Sequence, residues 1–302
     1  MSTDADRGAV VTGAGQGLGR AEALELARNG FGVVVNDVDE AQAAVVVAEI
    51  EAEGGAAVAF IGDCSDHATA GKLIDLAVST FGSVDAAVNN AGINRDRTML
   101  KMSPDEWQAV TRMHLDSTFA VTQHACLRFK EQGRGGHVVN TTSTAGILGN
   151  FGQANYGAAK GGIATFTIIV ALEMARNGVT CNAIAPTART RMTAALADAA
   201  AERGGSPEDL DDGFDFWAAE NVAPFVAFLC SDEANHISGK VFGVVGDAVE
   251  LYRPFTSVAV VRNGRQRWSN AALAAKMPDL FADAGMESEA TNPMANRRFP
   301  MI

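Results

Sequence analysis

Basic residues are scarce in this chain. Across 302 residues, 24 Lys and Arg face 36 Asp and Glu, for a net charge of −12. Such a chain lacks the basic face that non-specific nucleic-acid binding or an acidic membrane surface requires. Neither partner is expected, although local basic clusters can still meet a small anion. Cysteine is also sparse. Cys64, Cys126, Cys181 and Cys230 are far apart and form no CxxC pair. That spacing excludes a disulfide framework and a cysteine metal site, and it suits a reducing cytoplasm. The first residues, "MSTDADRGAV", hold no basic region followed by an apolar run, so no signal peptide is expected. The longest apolar stretch, "GIATFTIIVALEMA", is broken by Glu173 and reads as too short to cross a membrane. The final "PMI" is not a peroxisomal address, and no repeat of solenoid period is present. Tyrosine is the rarest aromatic, with two in the chain.

What is present is a regular alternation. Apolar β-branched runs at 8–13, 32–37, 56–63, 86–92, 136–143, 179–186 and 240–246 read as seven strands. Ala-rich helical windows at 17–30, 40–53, 66–81, 104–132, 155–176 and 219–231 separate them. Strands apolar on both faces, spaced for βαβ crossovers, predict an α/β fold of Rossmann type: a doubly wound parallel seven-stranded sheet flanked by helices. Residues 1–250 are expected to form one dinucleotide-binding and catalytic domain. Residues 251–302, punctuated by Pro and weakly patterned, read as an extension that packs on the body or on a partner subunit. The Gly/Asp/Ser-rich stretch 195–213 reads as a mobile connection or lid.

Three local features carry chemistry. "VVTGAGQGLGRAEALELA" sets Gly13, Gly15, Gly17 and Gly19 between a strand and a helix. Such glycines let the backbone approach a pyrophosphate, whose charge meets the N–H groups opening the next helix. The spacing is GxxxGxG, not GxGxxG, because position 18 is Leu. Asp37 ends the second strand. A carboxylate there accepts hydrogen bonds from the adenosine ribose and repels the 2′-phosphate of NADP, which points to NAD. Finally, "NYGAAK" places Lys160 one helical turn after Tyr156, on the same face.

Joined in this order, the motifs resemble those of a short-chain dehydrogenase/reductase over roughly residues 8–250. "TGAGQGLG" resembles the cofactor loop, "NNAG" (89–92) the sheet-stabilising motif, and "YGAAK" the YxxxK motif, with Ser143 thirteen residues before Tyr156. The resemblance implies a catalytic set of Ser143, Tyr156 and Lys160. Tyr156 would move the substrate's hydroxyl proton, Ser143 would donate to the substrate oxygen, and Lys160 would lower the Tyr156 pKa and bind the nicotinamide ribose. It also implies NAD contacts at Thr12, Gly13, Gln16, Gly17, Leu18, Gly19, Asp37, Asp63, Cys64, Asn90, Ala91, Gly92, Tyr156, Lys160, Pro186, Ala188 and Thr190. No metal is implied.

Where many family members carry an active-site Asn in a proton relay, "RMHLDSTF" has His114. Imidazole can relay protons, and a packed core histidine is the other reading. His67, His124, His137 and His236 read as ordinary surface or core residues. "NAGINRDRTMLKMSPDEW", "GNFGQANYGAAK" and "VAPFVAFLC" resemble the (3R)-hydroxyacyl-CoA dehydrogenase branch, found in peroxisomal multifunctional β-oxidation enzymes and in stand-alone bacterial relatives. That branch implies oxidation of a (3R)-hydroxyacyl-CoA, fatty or steroidal, by a homodimer or homotetramer. Arg95, Arg97, Arg189 and Arg191 would meet the CoA phosphates. The alternatives are a 17β-hydroxysteroid or other secondary-alcohol dehydrogenase, a 3-oxoacyl reductase, and a non-catalytic cofactor sensor.

Overall fold

The computed structural model describes residues 7–190 and 214–290. Eight strands form one sheet in the order β3-β2-β1-β4-β5-β6-β7-β8. They are β1 (Gly8–Thr12), β2 (Gly32–Asp37), β3 (Ala56–Ile61), β4 (Ala86–Asn89), β5 (Gly136–Thr141), β6 (Val179–Thr187), β7 (Val241–Val245) and β8 (Ala248–Tyr252). The first seven run parallel, and all seven were legible in the apolar runs. The eighth corrects the expected count. It pairs antiparallel with β7 across a tight turn at Gly246 and Asp247. Its alternation of exposed and half-buried residues marks an edge strand, which a search for doubly buried runs does not find. It also crosses the boundary drawn at residue 250.

The helices are α1 (Gly17–Arg28), α2 (Glu40–Ala52), α3 (His67–Phe81), α4 (Pro104–Thr111), α5 (Ser117–Gln132), α6 (Thr144–Leu148), α7 (Ala154–Met174), α8 (Ala223–Leu229) and α9 (Asn270–Ala284). Strand alternation builds a core on each face. Ala9, Val11, Val33 and Val35 pack against α1, α2 and α8. Val10, Val34 and Val138 pack against α3, α5 and α7. Both faces of each central strand are therefore dry, which requires parallel strands with helices on either side. A π-turn at Arg112–Asp116 joins α4 to α5 without leaving helical backbone, so the helical stretch expected over 104–132 is continuous with one widened turn at its middle.

The α7 helix runs on from Ala154, so Ala154–Asn177 is long and apolar enough to cross a membrane by length and composition. The shorter stretch read from the sequence undercounted it. In the structure this helix lies against β5 and β6. Beyond β8, no residue of α9 is buried. The lid expected at 195–213, and Arg191 with it, lie outside the described residues.

Candidate active site

The sheet reverses direction of winding at β1, whose neighbours are β2 and β4. Ligands bind at the carboxyl ends of strands at such a switch point. A cavity of about 330 Å³ opens there, running from Asp37 and Asp63 at one end to Tyr156 and Lys160 at the other.

The glycine loop forms one wall. Gly13 and Gly17 have φ of 61° and 54°, in the left-handed region that side chains disfavour. Gln16 gives α1 no side-chain cap, and the first turn holds no acid. By contrast, α2, α3 and α4 are capped by Asp39, Asp66 and Ser103. The opening N–H groups of α1 thus lack a side-chain partner where Gln16, Gly17 and Leu18 line the cavity. This start can hold a pyrophosphate.

The loop is held from behind. Asn90 Nδ2 donates to the carbonyls of Thr12 (3.1 Å) and Gly13 (3.2 Å), and Thr12 Oγ1 accepts from the N–H groups of Asn90 and Ala91. Asn89 Nδ2 donates to Thr122 Oγ1 and Asn140 Oδ1, tying β4 to α5 and β5. The NNAG segment therefore fixes the glycine loop and the sheet together. Thr12 and Gly19, expected among the dinucleotide contacts, do not line the cavity. Thr12 is spent on β4, and a Cβ at Gly19 would lie 2.4 Å from the Gly13 carbonyl.

Asp37 Oδ2 accepts from the Gly15 N–H at 2.9 Å, while Oδ1 accepts from the N–H groups of Val38 and Asp39. Its carboxylate lines the cavity and also braces the glycine loop. Asp63, Cys64, Ala91, Gly92, Pro186, Ala188 and Thr190 line the cavity as well. So do Asn36, Gly62, Met113, Thr141 and Thr142, which the motifs did not mark.

At the far end, Lys160 is buried and its ammonium donates to the Thr141 carbonyl at 2.5 Å. Its Nζ lies 5.7 Å from the Tyr156 ring centroid. Ser143 sits beside the Tyr156 hydroxyl, and its Oγ accepts from the Ala145 N–H at 3.2 Å. Burial raises the Tyr156 pKa above its ordinary value, and the Ser143 hydrogen bond pulls it partway back. The expected lowering by Lys160 is absent from this arrangement. Burial also brings Lys160 down to about 7, and its ammonium is turned to a carbonyl rather than to the phenol.

His114 stacks edge-on to Tyr156, with ring centroids 5.2 Å apart. Its Nε2 lies 2.9 Å from the Ile93 carbonyl, and its buried Nδ1 has no partner. Burial lowers its pKa to about 3, so it is neutral at physiological pH. Gly92 makes room for it: a Cβ there would lie 2.2 Å from His114 Cε1. The π-turn carries both His114 and Met113 toward the cavity.

Asn155, inside "NYGAAK", is a positioning residue that the motif does not mark. It is buried, accepts from the Tyr156 N–H at 2.8 Å, and donates to the carbonyls of Arg95 and Glu106. It therefore aligns the start of α7 with the loop after β4. An amide beside the tyrosine at a helix start was the available signal. The arginines fare differently. Arg97 pairs with Glu106 at 3.0 Å, and Arg189 pairs with Asp215 at 2.9 Å. Arg95 is exposed and donates to the Asn94 carbonyl.

Glu22, one turn into α1, is the unexpected ionisable group. It is fully buried, and neither carboxylate oxygen has a hydrogen-bond partner. Burial raises its pKa from 4.5 to about 8, opposed by the charge of Lys160. The folded protein therefore holds a proton on Glu22 that the unfolded chain loses near its ordinary value. Stability contributed by this proton is present below pH 4.5 and is lost as pH rises to about 8. Glu22→Gln is expected to raise stability at pH 8 by roughly 1–3 kcal/mol and to flatten its decline from pH 5. Thermal melts of both proteins across that range check this; equal slopes would contradict it.

Comparison with known proteins agrees with this architecture. The short chain dehydrogenase family model matches residues 7–201. Hydroxyacyl-CoA dehydrogenase ChsB1 of Mycobacterium tuberculosis is 43% identical over 287 residues, 91% of this chain and 88% of its own. Peroxisomal multifunctional enzyme type 2 of Drosophila melanogaster is 39% identical over 92% of this chain, which spans 47% of that larger protein. A 3-oxoacyl-[acyl-carrier-protein] reductase of Synechocystis sp. is 40% identical over 80% of this chain and 96% of its own. The crystal structure of a short chain dehydrogenase from Mycobacterium avium superposes with a TM-score of 0.82 at 39% identity, covering 93% of this chain and 96% of that one.

Proposed function

The chain belongs to the short-chain dehydrogenase family and is an oxidoreductase of that family; on that premise we propose that it oxidises a (3R)-hydroxyacyl-CoA to the 3-oxoacyl-CoA with NAD. The observation that carries the reading is the placement of Tyr156 and Lys160 at one end of the cavity and Asp37 at the other, with Ser143, which does not itself line the cavity, beside the Tyr156 hydroxyl. Bound at the glycine loop, the dinucleotide supplies the acceptor for the carbinol hydride. Ser143 donates a hydrogen bond to the substrate oxygen and holds it beside the phenol. Tyr156 takes the hydroxyl proton as the carbonyl forms, and returns it in the reverse direction. Lys160, whose ammonium is held on the Thr141 carbonyl, would have to turn from it toward the bound dinucleotide to hold the nicotinamide ribose and stabilise the phenolate.

Asp37 supports NAD over NADP. Asp37→Ala removes both the ribose partner and the brace on Gly15. The ratio of kcat/KM for NAD over NADP is expected to fall roughly 10–100-fold, the weight of a charged hydrogen bond. An unchanged ratio would contradict the assignment.

A bulky apolar acyl group suits the rim. Met99, Leu100 and Phe151 stand exposed on the loops that leave β4 and β5. A bridge between Arg97 and Gln153 joins those loops. The CoA reading leans on the relatives and on Arg95, since Arg97 and Arg189 already have carboxylate partners. Phe119 and Leu127 on α5, with Ile169 and Leu172 on α7, are exposed apolar residues suited to a second copy of the chain, as is the unburied α9. The test of the substrate class is kcat/KM for a 3-hydroxyacyl-CoA against its CoA-free alcohol. A clear preference for the thioester is expected. Equal values would favour a steroid or other simple secondary alcohol.

A further inference from the structure

Outside the cavity, two histidines meet on the face of the sheet covered by α3, α5 and α7. His67 opens α3, and His124 lies on the neighbouring α5. Their rings are 4.4 Å apart, and His124 Nε2 faces His67 Nδ1 at 3.3 Å. Two nitrogens bound at 2.0–2.1 Å to one tetrahedral ion stand about 3.3–3.4 Å apart, so the pair already has the spacing of two zinc ligands.

The surroundings orient the pair. His67 Nε2 lies 2.6 Å from Gln123 Oε1, an oxygen that only accepts, so Nε2 carries the proton. His67 Nδ1 is left with its lone pair directed at His124. A ligating histidine is ordinarily fixed in this way, by a hydrogen bond from its other ring nitrogen. Gly71, one turn after His67, clears the space for the second ring: a Cβ there would lie 3.0 Å from His124 Cε1. The main-chain carbonyl of His67 only accepts, so His124 Nε2 carries a proton shared between that carbonyl (3.0 Å) and His67 Nδ1 (3.3 Å), and an ion would bind by displacing this proton to His124 Nδ1.

We propose that His67 and His124 form a two-imidazole site for a divalent transition ion of the zinc, copper or nickel class, bridging α3 and α5. Imidazole nitrogens suit these ions and not magnesium or calcium. Among the described residues no group of three His, Cys, Asp or Glu side chains is placed to bind a metal, so water completes the coordination and the ion exchanges readily. The site stands apart from the dehydrogenase reading, since neither histidine lines the cavity. It does border it: Asp63 and Cys64, which line the cavity, lie just before α3. Arg112 ties the same loop to the π-turn through Ser65 and Asp63. An ion joining α3 to α5 would stiffen that loop.

The experiment is calorimetric titration of metal-free, tag-free full-length protein with zinc chloride, alongside thermal melts. One saturable ion per chain and a raised Tm are expected in the wild type. His124→Gln and His67→Gln should each lose the saturable binding and the Tm rise while folding normally. Gln123→Ala keeps both ligands and should weaken binding roughly 10–100-fold, the usual cost of losing a ligand's orienting partner. Cobalt in place of zinc should give the intense visible bands of a tetrahedral site in the wild type alone. No saturable binding, or zinc binding undiminished in His124→Gln, would overturn the proposal.

Discussion

Tyr156→Phe is expected to lower kcat by roughly 10²–10⁴-fold, the usual weight of a general acid–base group, with little change in fold or in dinucleotide affinity. The ring is what packs. It sits edge-on to His114, and phenylalanine preserves that contact. The hydroxyl, beside Ser143, is the group that the proposed proton transfer uses. Because burial raises the Tyr156 pKa, the phenol is an indifferent base until a positive charge is brought near it. The variant removes the only proton carrier at this position, so no pH should restore activity. Steady-state kinetics with a fluorescence titration of the dinucleotide separates the two effects. Retention of more than about a tenth of wild-type kcat would mean that Tyr156 is not the proton-transfer group.

Lys160→Met is expected to damage kcat and dinucleotide affinity together, because one ammonium would serve both the phenol and the nicotinamide ribose. A loss of roughly 10²-fold or more in kcat/KM follows from removing a buried charged donor beside the reacting group. The sign of the pH effect is specific. Burial lowers the Lys160 pKa to about 7, so its positive charge fades as pH rises through neutrality. Glu22 opposes that shift when it is ionised. Without the lysine, Tyr156 loses its nearest cation, and residual activity should peak at higher pH than in the wild type. A pH–rate profile of the variant measures this. An unmoved optimum would show that Lys160 does not tune the phenol.

The fold was legible where burial imposes a simple pattern. Val33–Val35 and Val138–Val139 are apolar without interruption because helices cover both faces of their strands. β8 is illegible in the sequence because its outer residues, Val249 and Leu251, are exposed and its polar Glu250 interrupts the run. The five-residue α6 is set by tertiary contact, with Ser143 capping it and Gly146 packed on Lys160 and Gly161 of α7. Within the site, Tyr156, Lys160, Asp37 and the glycine loop could be found from spacing. The bracing role of Thr12 could not, since a threonine after a strand contacts a ligand as readily as a neighbouring strand. Glu22 was equally hidden. An acid within "GRAEALELA" reads as a solvated helix face, and only packing shows that it points inward.

One measurement bears most directly on the account: the rate at which NAD is reduced when the enzyme is given a (3R)-hydroxyacyl-CoA, and then its 3S epimer. On the proposed reading Ser143 and Tyr156 would fix the substrate oxygen and the dinucleotide at the glycine loop would fix the face that takes the hydride, so only one epimer would fit. Rapid NAD reduction with the 3R thioester, and little with the 3S thioester or with NADP, is the predicted result. Preference for the 3S epimer, or absence of NAD reduction with either, would contradict it.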